Sequence, residues 1–116
     1  MGDSRNDSLA GLSNMLNSLK EIESYIITDM EGRIHMASTE NYDENTINSS
    51  IYLWVTGSRF GGEFNMGEPA NLIYYLKTRK MLVQKYNDYL IILNLIDIAK
   101  FPVFKRKLYD LFNRII

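Results

Sequence analysis

Residues 89–96 read Tyr-Leu-Ile-Ile-Leu-Asn-Leu-Ile, and Leu90 to Leu93 are apolar without a break. Side chains on a strand point alternately to its two faces. A strand that is apolar on both needs cover on both, which places it in the middle of a sheet with a layer on each side. Asn87-Asp88, a pair suited to the positive φ of a tight hairpin, joins it to a strand over Lys80–Tyr86. Asn71–Thr78 precedes that strand, beyond a connection at Arg79. The three strands read as an antiparallel meander.

The chain ahead of the meander supplies the rest of the sheet and its cover. Tyr25-Ile26-Ile27-Thr28 has strand composition. Asp29-Met30-Glu31-Gly32 is a turn, with Gly32 free to take positive φ. Arg33–Ser38 alternates as a second strand, so the two form a hairpin. Leu9, Leu12, Met15/Leu16 and Leu19 make one apolar stripe at helical spacing over Leu9–Lys20, with Ser8 as cap and residues 1–8 as a flexible tail. Asp43 or Asn45 starts a second helix over 43–62, whose stripe is Ile47, Ile51, Trp54 and Val55. Gly57 and Gly61-Gly62 end it, and Phe60 and Phe64 flank the exit. Phe101-Pro102 opens a last helix striped by Phe104, Leu108, Leu111/Phe112 and Ile115. The order α-β-β-α-β-β-β-α predicts one α+β domain over 9–116. It is a three-layer α/β/α build with a five-stranded, mostly antiparallel sheet, the central helix on one face and the terminal helices on the other.

Composition narrows the chemistry. The 116 residues contain no cysteine and a single histidine, His35. Disulfides, thiolate catalysis, cysteine-ligated metals and a multi-histidine centre are excluded, and neither a metal nor a cofactor is expected. Residues 1–20 lack the apolar run of a signal peptide. Leu90–Ala99, broken by Asn94 and Asp97, falls far short of the ~20 residues of a membrane span. A cytoplasmic protein is expected. The net charge is −1, but residues 1–50 carry −6 and residues 51–116 carry +5. Without a nucleic-acid motif, the basic clusters at Lys77, Arg79, Lys80 and Lys85 and at Lys100, Lys105, Arg106 and Lys107 do not point to nucleic acid. They are solvated strand ends and a polar helix face, or a docking patch for an acidic partner.

Individual residues argue against catalysis. His35 sits in a strand with no Ser or Cys nucleophile paired to it by spacing. Asp29 and Glu31 are turn carboxylates suited to bonding the backbone. Gly57-Ser-Arg-Phe-Gly-Gly62 lacks the lysine and hydroxyl of a phosphate loop and follows a helix instead of opening one. Arg59 reads as a surface cation before an arginine finger.

Tyr25-Ile-Ile-Thr-Asp-Met-Glu-Gly-Arg-Ile-His-Met-Ala-Ser38 resembles the strand, Asp-x-x-Gly turn and strand of the roadblock/LC7 domains. The preceding apolar helix, the long following helix and Asp88-Tyr-Leu-Ile-Ile-Leu93 fall where that family has them, so the likeness spans roughly residues 9–115. Phe101-Pro102 departs from the small residues usual at the last helix. The resemblance implies a non-enzymatic dimer, of two identical or two related domains, in which central helices pack antiparallel across a two-fold axis and edge strands join the sheets. It further implies an adaptor that binds a Ras-like small GTPase as scaffold, regulator or GTPase-activating component. The seam is expected at Ile47, Ile51, Trp54, Val55 and Ser58, and the GTPase contact at Tyr52, Arg59, Lys77 and Arg79. Profilin-like and longin-like domains share the architecture. A sensory, ligand-binding or trafficking domain of that kind is the alternative, and a ligand-binding one would need an apolar pocket with a few polar groups.

Overall fold

A computed structural model describes residues 3–40, 42–67, 69, 71–76, 79–96 and 101–115, without the side chains of 3–8, 76, 101 and 111–115. The elements are α1 (Asp3–Asn17), β1 (Ile22–Asp29), β2 (Ile34–Ala37), α2 (Glu44–Glu63), β3 (Asn71–Leu76), β4 (Arg79–Tyr86), β5 (Tyr89–Leu95) and α3 (Phe101–Ile115). They form one five-stranded sheet in the order β2-β1-β5-β4-β3, with every pairing antiparallel.

β5 is the middle strand, and its parity divides the core. Tyr89, Ile91, Leu93 and Leu95 join Tyr25, Ile27 and Leu82 beneath Leu12 and Leu16 of α1 and Phe104 and Leu108 of α3. Leu90 and Ile92 face the other way, into two clusters completed by Ile47 and Trp54 of α2. Polar ties fix the helices to the sheet. Ser13 and Tyr25 share a hydrogen bond of 2.5 Å between α1 and β1. The Lys107 ammonium donates to Glu21 at 2.9 Å, joining α3 to the start of β1, and this bond holds the Glu21 carboxyl below its ordinary range. Ser50 and Tyr74 share a bond of 3.0 Å between α2 and β3, and burial pushes the Tyr74 hydroxyl up.

Several boundaries differ from the sequence reading. Residues 1–8, expected as a flexible tail, are helical from Asp3 on, and Ser8 lies inside α1, not at its cap. No Gly or Pro interrupts residues 3–10, and a helix once nucleated extends at little cost. The same helix stops early, at Asn17, where the Ser18 hydroxyl and backbone N–H both donate to the Met15 carbonyl. Asp43 caps α2 by accepting from the Asn45 N–H at 2.9 Å. Gly61 and Gly62 do not end that helix; the reversal comes at Asn65, with φ 56°. Gly61 serves a tertiary purpose instead: a Cβ there would collide with the Gly67 carbonyl, so its absence lets the exit loop fold across the helix. In the β4–β5 hairpin only Asn87 takes positive φ. Lys77, Thr78 and Lys100 lie outside the described residues, as do the side chains of Leu111, Phe112 and Ile115.

Trp54 fills the space between α2 and the strands and is 2% exposed. Trp54→Ala is expected to lower stability by about 3–5 kcal/mol in urea unfolding, whereas Val55→Ala on the solvent side changes it by no more than about 0.5 kcal/mol.

Candidate partner-binding face

α2 is a 20-residue helix with one buried stripe and two different flanks. β3 marks one flank: Gly57 lies against Pro69 and Leu72, and Ser50 bonds Tyr74. The β1–β2 turn marks the other, where Gly32 lies against Ile51 and Asn48. Successive residues turn by about 100°, so Leu53, Phe60 and Phe64 follow the β3 flank and Tyr52, Val55 and Arg59 the turn flank. Leu53, Phe60 and Phe64 are 38%, 56% and 60% exposed, and the two phenyl rings pack tilted by 37° with centroids 4.6 Å apart. Tyr52 and Val55 are 71% and 43% exposed.

The residues expected at a seam divide three ways. Ile47 and Trp54, 3% and 2% exposed, are consumed by the chain's own core, which corrects their assignment to a surface. Ile51 is half-buried against both clusters under α2, and the half-buried Ser58 has a shielded hydroxyl with no hydrogen-bond partner among the described residues. Val55 is exposed, but on the turn flank. The apolar residues on the β3 flank were missed as a set. Their spacing of seven and four is the signal that could have found them, and it runs beside the stripe that Trp54 dominates.

Of the four residues expected to meet a GTPase, Tyr52 and Arg59 share one exposed side two turns apart. Lys77 lies outside the described residues. Arg79 is exposed at the opposite end of α2. There it lines, with Tyr42, Asp43 and Thr46, a hollow of about 50 Å³ whose walls are mixed, Ser24, Thr39 and Asn94 beside Ile26, Met81 and Ile92. That is well below the roughly 300–1,000 Å³ of ordinary ligand pockets. The outer side of β3 has no strand beside it among the described residues.

The charged cluster of the molecule closes the β1–β2 turn. Asp29 accepts from the backbone N–H groups of Glu31 and Arg33 at 2.9 and 3.0 Å, from Arg33 Nε at 2.8 Å and from His35 Nε2 at 3.1 Å. The His35 ring packs edge-on to Tyr89, with centroids 5.1 Å apart. Desolvation alone would push the Asp29 carboxyl up; the bonds from His35, from the Arg33 and Glu31 N–H groups and from the Arg33 guanidinium outweigh it and hold it well below the ordinary carboxylate range. Every contact of this carboxylate serves the turn. Among the described residues no group of His, Asp and Glu could hold a metal ion, and no helix is long and apolar enough to cross a membrane.

No protein-family model and no curated protein matches the sequence. Solved structures do match the fold. The roadblock/LC7 domain from Streptomyces avermitilis is 13% identical over 89% of each chain, with a TM-score of 0.72. Myxococcus xanthus MglB is 8% identical over 88% of this chain and 83% of that one, with a TM-score of 0.69. The chain has the roadblock/LC7 fold. Schizosaccharomyces pombe profilin, 11% identical over 90% of this chain and 93% of that one at a TM-score of 0.67, shares the architecture. At these identities the likeness is one of fold, so a site must be argued from the residues above.

A carboxyl held below its ordinary value stabilises the fold at pH above that value and ceases to do so as protons are added. Asp29→Asn is therefore expected to lower the urea midpoint at pH 7. The gap to wild type should close as the pH falls below about 4, the ordinary range of an Asp carboxyl. A gap that stays constant down to pH 2 would remove Asp29 as the source.

Proposed function

We propose that the protein is a dimeric, non-catalytic adaptor of the cytoplasm that binds a Ras-like small GTPase. The observation that carries this reading is the β3 flank of α2. From Thr46 through Ser49, Leu53, Thr56 and Phe60 to Phe64 it bears no charge, and it runs beside β3, the end strand of the sheet among the described residues. An exposed apolar stripe marks a contact surface, and an end strand is where a sheet can be extended. One self-complementary contact with a second copy satisfies both. The lack of charge favours two identical chains, since opposed like charges do not arise across the axis. The resemblance to roadblock/LC7 domains supplies the expectation of a dimer and of a GTPase as partner.

The seam then comprises Leu53, Phe60 and Phe64 with the β3 edge. Tyr52, Val55 and Arg59 stay free on the other flank for the GTPase. A tyrosine and an arginine around an aliphatic contact are the residue types that most often dominate binding. The hollow near Arg79 is small, and the larger depression of about 540 Å³ beside Asn48, Ser49, Tyr52 and Leu53 is shallow and open to solvent, so neither favours the ligand-binding alternative.

Light scattering at tens of micromolar should return a mass near twice 13.5 kDa. Phe60→Asp should halve it; a wild-type monomer would overturn the dimer. Pull-down from native lysate should bring a Ras-like GTPase, identified by mass spectrometry. Tyr52→Ala combined with Arg59→Ala should weaken that capture at least ~10-fold while the mass stays dimeric. Capture unaffected by the pair would move the GTPase to another face.

A further inference from the structure

The chain has six methionines and no cysteine, so thioethers are its only sulfur. Among the described residues, Met15 and Met81 are buried, and Met30 and Met36 are half-buried. Met66 is 73% exposed, more than any other large apolar side chain described.

The way α2 ends sets where this side chain stands. Asn65 takes φ 56°, its N–H donates to the Gly62 carbonyl at 3.3 Å, and the Met66 N–H donates to the Gly61 carbonyl at 2.7 Å. These two bonds are the paired closure of a helix that turns through a left-handed residue. In that closure the residue after the left-handed one lies over those three and four places before the C-cap. With Phe64 as C-cap, these are Gly61 and Phe60. Gly61 offers no side chain, so the apolar neighbour of Met66 is Phe60, whose ring packs on Phe64. The backbone bonds thus hold Met66 at the end of the stripe of Leu53, Phe60 and Phe64, while most of its side chain meets solvent.

We propose that Met66 is a modification site, oxidised by hydroperoxides to the sulfoxide, and that the sulfoxide weakens the contact made through Phe60 and Phe64. The effect on the contact rests on the dimer proposed above; the oxidation does not. A sulfur lone pair attacks the terminal oxygen of the peroxide, an S–O bond forms as the O–O bond breaks, and the hydroxyl proton passes to the departing oxygen. The thioether loses two electrons, and hydrogen peroxide is reduced to water. Susceptibility follows exposure, so the buried Met15 and Met81 are shielded from this attack. A thioether packs favourably on an aromatic ring. A sulfoxide is polar, and setting it against an apolar surface costs affinity. Methionine sulfoxide reductases reverse the change.

At least one Lys or Arg lies between every two successive methionines, so trypsin places each in its own peptide, with Met66 in 60–77. After brief hydrogen peroxide treatment of the folded protein, mass spectrometry should find oxygen on that peptide roughly 10-fold or more sooner than on those carrying Met15 or Met81. Equal rates overturn the site. In light scattering over a dilution series, oxidation should raise the dimer dissociation constant about 10-fold. Met66→Leu should keep its dimer under the same peroxide, and Met66→Gln, polar and of similar length, should weaken it without any. Loss of the Met66→Leu dimer under peroxide assigns the effect to another residue and overturns the proposal. A fully oxidised Met66 in an undisturbed dimer does the same and leaves the dimer standing. A wild type that is monomeric before treatment removes the contact, and with it the effect of the sulfoxide, while the peptide rates still decide the site.

Discussion

A strand that cannot face water on either side dictates the layering of this protein. β5 carries Tyr89, Ile91, Leu93 and Leu95 on one face and Leu90 and Ile92 on the other, and all six are buried. The two faces are not covered equally. α1 and α3 share one of them, and α2 has the other alone. Five strands about 4.8 Å apart make a sheet roughly 20 Å wide, and a helix with its side chains is about 10 Å across. Two helices can roof such a face; one cannot. Among the described residues the margin of the α2 face is therefore thinly covered at β3, and the exposed apolar Leu53, Phe60 and Phe64 collect along that margin. The surface proposed as a seam is the part of a layered design that one helix leaves unfinished.

What was readable in the sequence follows the same physics. The continuous apolar run at Leu90–Leu93 led directly to a central strand, because both parities must be buried wherever the strand sits. The hairpin at Asp29–Gly32 was equally legible, and the start of α2 was narrowed to Asp43 or Asn45, since each depends on contacts within a few residues. Gly61-Gly62 was misread as a helix stop because the reason for Gly61 is a carbonyl six residues away in a loop that folds back over the helix. Ile47 and Trp54 were expected at the surface for a related reason. The apolar arc of α2 is broad, and periodicity locates its centre without saying how much of it the chain's own sheet absorbs. Trp54, the largest residue in the arc, went to the core, and the smaller Leu53 beside it was left at the edge. Arg79 and Arg59 could not be separated by sequence at all, because only the antiparallel run of β3 against α2 shows that they lie at opposite ends.

Polar bonds hold the parts of the proposed surface in fixed relation. α2 and β3 both contribute to it, and they are joined by the Ser50–Tyr74 bond at 3.0 Å, with the Ser50 hydroxyl also donating to the Thr46 carbonyl at 2.7 Å. A buried hydroxyl pair of this kind is costly to leave unmade, so helix and edge strand keep their register instead of sliding along the sheet. The exit loop adds a second constraint where the Met66 N–H donates to the Gly61 carbonyl at 2.7 Å and Pro69 packs on Gly57. Both ties act on the β3 flank, where two copies would need a prearranged shape to fit each other.

The separation of the two flanks bears on how the proposed dimer could meet a second partner. Leu53 and Val55 are two residues apart in sequence but about 200° apart around the helix. A contact through Leu53, Phe60 and Phe64 leaves Tyr52, Val55 and Arg59 facing away from it. Pairing and partner binding can then occur on one helix without competing for the same side chains. They remain mechanically linked, because Trp54 and Ile51 lie between the flanks and pack on the same strands. A shift of α2 caused by either contact must move that shared stripe. In a close-packed interior such a stripe does not deform smoothly, which gives binding on one flank a physical route to the other.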